Sequence, residues 1–251
     1  TALVFFPDIE AACLAVTALK PQPVDAVELV DRAGLRSVQD KAGMPAFLRD
    51  LGDDAAALLI DVRGATPAEL AEKVVQVQAT LATQSLLRPA EFTTDKTEYA
   101  RLWNVRKGLF PAVGAVRPVG TTVIIEDVAF PIERLAQGTR DLQALFVEYH
   151  YHEAIIFGHA LEGNLHFVFT QDFSTAAEVE RYAGFMHAVS ELVAVKYGGS
   201  LKAEHGTGRN MAPFVELEWG ADAYQLMWAI KRLFDPCNLL NPGVILNHDP
   251  D

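Results

Sequence analysis

Short apolar runs and helix-spaced apolar positions alternate along the first 85 residues of the chain. Three runs bounded by Pro, Asp or Gly have the length and composition of strands. They are Ala2–Phe6 and residues 24–30 and 55–62. Between the first two runs, apolar residues recur at helical spacing from Ile9 to Leu19, behind Asp8 as a helix cap.

A second helix is predicted to begin near residue 66. Thr66 is suited to cap it, Pro67 to occupy its first helical position and Glu69 to complete a capping box. The resulting order of strand, helix, strand, strand and helix is what a small antiparallel sheet with helices on one face produces. The pattern therefore predicts an α+β fold of ferredoxin-like type.

Strand-like apolar runs and helix-spaced apolar positions continue to alternate towards the C-terminus. They predict helices at residues 95–110, 131–149, 176–197 and 221–234, and strands at residues 121–130, 154–157, 165–170 and 200–203. No internal repeat, low-complexity tract or long flexible linker interrupts this pattern.

Charge and composition narrow the classes of partner. The 251 residues include 33 Asp and Glu against 21 Lys and Arg, and the net charge of −12 disfavours nucleic acid and anionic membranes. The longest apolar runs, at residues 154–157 and 192–195, are far shorter than the roughly 20 residues of a membrane span. Cys13 and Cys237 are too far apart in sequence for a metal-binding motif, which favours a reducing, cytoplasmic compartment.

The N-terminus reads like a strand entered in mid-chain. Thr1 opens the run TALVFFP, without an initiator methionine or the basic segment of a signal peptide. We therefore expect the chain to be a portion of a longer protein.

Two histidines flank a Gly-containing turn in the run GHALEGNLH at residues 158–166. His159 and His166 are seven residues apart, and a turn between two strands can fold the second imidazole back towards the first. A histidine pair with a purely structural role has the same spacing, so this run alone does not establish a metal site.

A carboxylate and an imidazole are adjacent in the run LKAEHGTGR at residues 201–209. On a strand, Glu204 and His205 would point to opposite faces and have separate tasks. A helix N-terminus with a capping carboxylate is the structural alternative. Combined with His159 and His166, Glu204 completes a set of two imidazoles and one carboxylate that leaves positions open on a divalent metal ion, and His205 is then suited to act as a general base.

Several motifs, taken together, carry a family resemblance. The runs GHxxxGNLH, AEHGTGRN and DPCNLLNPG occur in this order, and WNVR at residues 103–106 and EDVAFP at residues 126–131 precede all three. The chain thereby resembles the C-terminal domain of FAD-linked oxidases of the vanillyl-alcohol-oxidase superfamily, in particular D-lactate and D-2-hydroxyglutarate dehydrogenases. The longer runs AEHGTGRNMAPFVELEWG and DPCNLLNPGVILN further resemble large bacterial fusion proteins that carry an FAD-binding domain before this region and an iron–sulfur domain after it.

The resemblance implies a division of labour within the chain. Residues 1–210 would form a substrate-binding cap domain, and residues 211–251 a helical segment that packs on an FAD-binding domain outside this chain. That domain would hold most of the FAD, and a further domain would hold an iron–sulfur cluster. A small 2-hydroxy acid would be the substrate, and the protein would be cytoplasmic, at the inner face of the membrane if its electron acceptor lies there.

The resemblance also assigns roles residue by residue. His159, His166 and Glu204 become ligands of a divalent metal, zinc before iron or manganese, and His205 becomes the base. Arg106 matches an arginine that holds the substrate carboxylate, although by itself it could be a solvated helix residue. The implied cofactor contacts, beside Glu204, are Asn164 and Asn241, the second of which lies in an Asn-Pro-Gly sequence that is also typical of a plain turn.

Three positions depart from the pattern of these relatives. Glu162 stands in place of an Asp, Val168 in place of an Asn, and Ile125 in place of a Lys. These changes remove polar substrate contacts and leave the implied ligands and base intact. The implied reaction is oxidation of a D-2-hydroxy acid to a 2-oxo acid by an FAD-dependent enzyme. A metal-dependent hydrolase that needs no flavin and a non-catalytic binding module of the same fold are the alternatives.

Overall fold

The fold is built on one antiparallel sheet of six strands, in a computed structural model that describes residues 1–41, 44–109, 111 and 117–247. The strands follow the spatial order β1-β3-β2-β5-β6-β4. Their bounds are Ala2–Phe6 (β1), Ala26–Val30 (β2), Ala56–Asp61 (β3), Thr122–Ala129 (β4), Ile155–His159 (β5) and Asn164–Gln171 (β6).

Nine α-helices surround the sheet within the described ranges. They are Ile9–Leu19 (α1), Arg32–Val38 (α2), Pro67–Leu81 (α3), Lys96–Lys107 (α4), Leu135–Glu148 (α5), Ala176–Ser190 (α6), Gly208–Met211 (α7), Val215–Trp219 (α8) and Ala221–Phe234 (α9). Short 3₁₀ turns at Ala46–Asp50, Ile132–Arg134, Ala160–Glu162 and Ala212–Phe214 complete the described helical structure, together with one π-helical turn at Glu191–Lys196. No helix in these described parts is both long enough and apolar enough to cross a bilayer.

The two faces of the sheet bury cores of unequal size. Helices α1, α3, α5 and α6 cover the larger core, whose central side chains include Leu58, Phe167 and Phe185. The opposite face carries a smaller core around Leu35, Leu48 and Phe157, covered by α2 and the turn Ala46–Asp50. Because successive strand residues alternate between faces, β2, β4, β5 and β6 each contribute polar side chains at one end of this second face.

Local signals explain why these elements begin where they do. The Thr66 hydroxyl accepts a hydrogen bond from the Glu69 backbone N–H at 3.2 Å, which is the first half of a capping box. The Glu69 carboxylate reaches back past the cap and accepts from the N–H of Ala65, the preceding residue, at 2.7 Å. Asp8 caps α1 in the same way, with its side chain accepting from the Ala11 N–H at 2.7 Å. These two predicted helix starts are therefore confirmed.

The predicted α+β class with an antiparallel sheet is also confirmed, with differences in detail. Helix α2 was not predicted, because it has only seven residues and contains Gly34. The predicted strand at residues 200–203 is wrong, since only Ser200 pairs, in an isolated bridge with Ala129. The predicted helices at residues 131–149 and 176–197 are each divided, the first by a 3₁₀ turn at its start and the second by a π-helical turn at its end. Phe110, at the predicted end of α4, lies outside the described residues.

Candidate metal and substrate site

The turn between β5 and β6 brings the two predicted histidines together. His159 ends β5 and His166 lies in β6, with the 3₁₀ turn Ala160–Glu162 and Gly163 between them. Gly163 has φ 68°, a conformation that L residues rarely adopt, and its carbonyl accepts a hydrogen bond from the Phe130 N–H at 3.0 Å. The two imidazole centroids are consequently 5.6 Å apart.

A loop at residues 201–207 supplies the remaining two groups of the cluster. The Glu204 backbone N–H donates to Asp127 Oδ2 at 2.6 Å, and the Leu201 N–H donates to Glu218 Oε2 at 3.1 Å. These bonds hold the loop against β4 and α8. Because the segment is a loop rather than a strand, the prediction that Glu204 and His205 face opposite ways is wrong, and both side chains lie in the cluster.

The three predicted ligand side chains converge on one point. His159, His166 and Glu204 each offer a donor atom, and these atoms all lie within 4.8 Å of one another. Glu204 Oε1 is 2.8 Å from His166 Nε2 and 3.5 Å from His159 Nε2. His166 is buried, whereas His159 and Glu204 are 45% and 40% exposed at their side chains. The cluster is thus fixed on its inner side and open to solvent on its outer side.

His205 lies directly beside this cluster. Its ring stacks on that of His166 with centroids 4.9 Å apart, and its Nε2 is 3.5 Å from Glu204 Oε1. Its Nδ1 is 3.4 Å from Oδ1 of the fully buried Asp127. An imidazole next to the three donors, yet 42% exposed, is in a position to exchange a proton with a bound molecule.

A second ion pair connects the cluster to α4. Glu28 Oε2 accepts a hydrogen bond from Arg106 Nε at 2.7 Å, and Glu28 Oε1 lies 2.5 Å from His159 Nδ1. The Arg106 guanidinium also stacks over the Phe157 ring, 4.4 Å from its centroid. Glu28 therefore bridges Arg106, the predicted carboxylate-binding residue, and His159, a predicted metal ligand.

The acidic residues of β4 are held by Lys202. Its ammonium pairs with Glu126 and lies 3.3 Å from Asp127 Oδ1, and Asn210 donates to Glu126 Oε1 at 2.7 Å. Both carboxylates are buried, so their charges need these partners.

Comparison with known families identifies the family of this chain. The family described as "FAD linked oxidases, C-terminal domain" matches residues 1–245. The chain belongs to this family.

Two relatives and one solved structure illustrate the likeness of this FAD-linked oxidase C-terminal domain to known proteins. The glycolate oxidase subunit GlcD of Bacillus subtilis (strain 168) is 28% identical over 254 residues, which is 99% of this chain and 51% of the relative. The D-2-hydroxyglutarate dehydrogenase of Pseudomonas putida (KT2440) is 30% identical over 224 residues, which is 89% of this chain and 19% of the relative. The chain thus spans about half of the first relative and a smaller share of the second.

The fold itself recurs in a solved structure of p-cresol methylhydroxylase with substrate bound. The TM-score is 0.62 at 15% identity, and the match covers 98% of this chain and 52% of that one. At this level of identity the likeness concerns the fold alone.

The electrostatics of the site suit a divalent cation. Burial lowers the pKa of His166 to about 4, so its imidazole is neutral at pH 7 and keeps a lone pair for a metal. The hydrogen bond with Glu28 raises the pKa of His159. Burial alone would raise the pKa of Asp127, but the Glu204 N–H and Lys202 outweigh it and lower that pKa. Two imidazoles and a carboxylate, with anionic groups behind them, are a donor set that a divalent metal of the zinc type fits.

The two predicted cofactor-contact asparagines lie in different places. Asn164 begins β6, and among the described residues its buried Oδ1 has no hydrogen-bond partner. Asn241 lies exposed in the segment after α9, with φ 45°, and does not belong to β5, β6 or the loop at residues 201–207. Among the described residues, no hydrogen bond joins the Asn241 side chain to the histidine cluster.

Three residues of the site received no role from the sequence. Glu28, Asp127 and Lys202 all contact predicted site residues through ion pairs or hydrogen bonds. The available signal was a charged side chain within an apolar strand, as in AVELV around Glu28 and TVIIEDVA around Asp127. A buried charge of this kind needs a partner, which the sequence alone does not name.

Proposed function

We propose that this chain is the substrate- and metal-binding part of an FAD-dependent dehydrogenase that oxidises a D-2-hydroxy acid to a 2-oxo acid. The observation that carries the proposal is the convergence of His159, His166 and Glu204 beside His205, in a chain of the FAD-linked oxidase family. Oxidation of a CH–OH group requires removal of one proton and one hydride, and the site offers a base for the first of these.

His159, His166 and Glu204 would hold the divalent metal, for which zinc is our first choice. Such an ion supplies Lewis acidity towards oxygen atoms, and FAD, held chiefly outside this chain, supplies the acceptor for the hydride. Imidazole and carboxylate donors do not discriminate sharply among zinc, iron and manganese. Metal analysis of the purified protein would decide among them.

Two side chains would act on the substrate directly. His205 would take the hydroxyl proton, since its ring lies beside the three donors and is accessible from solvent. Arg106 would hold the substrate carboxylate. It donates to Glu28 through Nε, so its two terminal nitrogens can form the paired hydrogen bonds that a carboxylate accepts.

The substrate tail would contact an apolar wall. Ile125 would form its surface, because it is partly exposed on the face of the sheet that also carries Asp127 and His166. Its cross-strand partner Val168 is fully buried and packs behind it. A second carboxylate would be desolvated against this apolar surface. We therefore favour a monocarboxylic acid of the lactate or glycolate type over a dicarboxylic acid such as 2-hydroxyglutarate.

A cationic side chain on this wall tests the substrate proposal. In the complete enzyme, Ile125→Lys should raise kcat/KM for D-2-hydroxyglutarate relative to D-lactate, by roughly 10-fold or more if the new pair is worth about 1.4 kcal/mol. Val123→Lys is the matched control, because Val123 lies on the same face of β4 but two residues further from Asp127 than Ile125 does. Equal ratios in both variants would reject the wall as a determinant of selectivity.

The helical C-terminal part would pack on the FAD-binding domain. Helix α9 buries Tyr224 and Trp228 on its inner side but exposes a second apolar stripe, in which Leu233 and Phe234 are 76% and 79% exposed. A large exposed apolar surface of this kind marks an interaction site. We therefore retain 211–251 as an interdomain segment, with Asn241 and Asn164 as candidate cofactor contacts and residues 1–210 as the cap.

A parent polypeptide with further domains is part of the same proposal. The matched stretch makes up 51% of the GlcD relative and 19% of the P. putida dehydrogenase, so both relatives have room for other domains. We place the FAD-binding domain and an iron–sulfur domain in that parent. A cytoplasmic location is proposed because Cys13 and Cys237 are both free thiols.

The decisive experiment is to isolate the natural polypeptide from its source and to measure its mass, visible spectrum and activity. A chain much longer than 27.4 kDa, with flavin absorption and chelator-sensitive oxidation of D-2-hydroxy acids, is the expected result. A natural chain of about this mass without flavin would overturn the proposal. Chelator-sensitive ester hydrolysis by that chain would then favour a hydrolase, and absence of metal binding would favour a binding module.

A further inference from the structure

Glu28 occupies a position where a charge is costly. It lies in the middle of β2, in the apolar run AVELV, and its side chain is only 4% exposed. A carboxylate in such a place is desolvated and needs specific partners. An apolar side chain would meet the needs of the sheet equally well, so the acid is explained by what it contacts.

The two carboxylate oxygens of Glu28 contact two different groups. Glu28 and His159 are direct partners in the pairing of β2 with β5, and Oε1 lies 2.5 Å from His159 Nδ1. Oε2 accepts the Nε–H of Arg106 at 2.7 Å, although Arg106 is 78 residues away in sequence. One buried carboxylate thus joins a candidate metal ligand to the candidate substrate arginine.

The first of these contacts decides which nitrogen of His159 is free. With Nδ1 donating to Glu28, the lone pair is on Nε2, which is the atom 3.5 Å from Glu204 Oε1. A carboxylate behind a histidine ligand fixes the tautomer, orients the ring and increases its basicity. His166 lacks such a support, since within the described residues its buried Nδ1 has no partner.

The second contact fixes the arginine in relation to the same ring. The Arg106 side chain is 14% exposed and is held between Glu28 and the Phe157 ring. We propose that Glu28 is a positioning residue that orients His159 and Arg106 together, so that metal binding and carboxylate binding share one support. This inference rests on the metal site of the proposed function and adds a residue to it.

Zinc affinity of the 251-residue chain tests the inference without requiring flavin. Isothermal titration with zinc chloride should show binding by the natural sequence, and Glu28→Gln should weaken it by about 10- to 100-fold, as is typical when a carboxylate behind a ligand is removed. Asp61→Asn is the matched control, because Asp61 is also a buried strand carboxylate with an arginine partner but lies on β3. It should leave zinc affinity unchanged.

Two further measurements separate positioning from folding. If Glu28→Gln leaves the Arg106 charge unpaired and the chain unfolds, Glu28→Gln combined with Arg106→Gln removes both charges and should fold with the same weak zinc binding. Imidazole ¹⁵N shifts of the zinc-loaded natural chain should show His159 protonated at Nδ1 and liganded through Nε2. The opposite assignment would overturn the inference.

The outcomes distinguish this inference from the proposed function. Equal zinc affinity in the natural chain and in folded Glu28→Gln would remove Glu28 as a positioning residue and leave the metal site standing. Loss of zinc binding in His159→Ala supports the site itself. Absence of zinc binding in the natural chain would overturn both the metal site and the role of Glu28.

Discussion

His205 is the imidazole of the cluster whose partners suit proton transfer. Asp127, fully buried and fixed by the Glu204 N–H and by Lys202, lies 3.4 Å from His205 Nδ1. An acid at this nitrogen favours the tautomer with a free Nε2, and that nitrogen lies 3.5 Å from Glu204 Oε1. His159 is less suited to this role because its Nδ1 is bound to Glu28, and His166 is less suited because its side chain is buried.

Replacement of His205 should therefore separate chemistry from metal binding. In the complete enzyme, His205→Ala should lower kcat by about 10² to 10⁴, the usual contribution of a positioned base, and leave metal content unchanged. His152→Ala, an exposed histidine after α5, is the control and should keep full activity. Unchanged turnover in His205→Ala would exclude it as the base, and loss of metal would make it a ligand instead.

At the scale of elements, the turn between β5 and β6 determines whether the histidines meet. Gly163 combines a positive φ with close packing, because a Cβ there would collide with the Phe130 carbonyl oxygen. Gly120, before β4, also has a positive φ of 95°, but a Cβ there would meet no described atom within 4 Å. At Gly120 a side chain would therefore meet only the strain of a positive φ, whereas at Gly163 it would meet both that strain and a steric collision.

Alanine at these two glycines should have different consequences. Gly120→Ala should lower the free energy of unfolding by about 1 to 2 kcal/mol, the cost of a left-handed conformation. Gly163→Ala should cost clearly more and should also weaken zinc binding, because relief of the collision moves His159 relative to His166. Urea unfolding and zinc titration measure both effects. Equal losses of stability with unchanged zinc affinity would contradict this account.

Helix α2 depends on a buried acidic cap. Asp31 accepts a hydrogen bond from the Gly34 N–H at 2.7 Å, and burial raises the pKa of Asp31 to about 7 in spite of this bond. In the unfolded chain the same carboxyl titrates near 4. Between these values the folded state keeps a proton that the unfolded state has lost, so this group's contribution to stability falls as the pH rises from about 4 to 7.

Asparagine provides an uncharged cap of the same size for comparison. The free energy of unfolding of the natural chain relative to Asp31→Asn should decrease between pH 5 and pH 7.5, measured by urea unfolding of both proteins. The difference cancels the other titrating groups that the two proteins share. A constant difference, or one that grows with pH, would show that Asp31 stays ionised in the folded chain.

At the scale of the whole molecule, the outer side of α9 is an apolar face that the described residues leave exposed. Leu226, Ile230, Leu233 and Phe234 form a stripe along the outer side of α9, and exposed Leu239 and Leu240 follow it in sequence. The inner side of the same helix is already used in the small core around Trp228. A helix that is apolar on both sides is typical of a buried element, which agrees with its proposed place between domains.

Charges on this face should change the behaviour of the isolated chain. Leu233→Glu with Phe234→Glu should reduce binding of the dye ANS and self-association in light scattering, because they break the exposed apolar stripe. Val119→Glu is the control, since Val119 is fully exposed in a loop before β4 and belongs to no such stripe. Association unchanged by the double substitution would show that this face is not an interaction surface.

The sequence by itself determined the local elements and the types of residue at the site. Helix caps at Asp8 and Thr66, the strands and helix α9 follow from propensity and from patterns within a few residues, so the α+β class was predictable. The sequence motifs also identified the candidate site residues His159, His166, Glu204 and His205. Short elements such as α2 were not predicted, because seven residues that include a glycine are too few to show a clear helical pattern of apolar positions.

Only the tertiary structure decided which groups meet. The register of β2 against β5 places Glu28 opposite His159, and the packing of α4 brings Arg106 to the same carboxylate. The loop at residues 201–207 turns both Glu204 and His205 into the cluster, because hydrogen bonds to Asp127 and Glu218 outweigh the strand pattern. These contacts join residues far apart in sequence, and local pattern carries no information about the pairing of such distant segments.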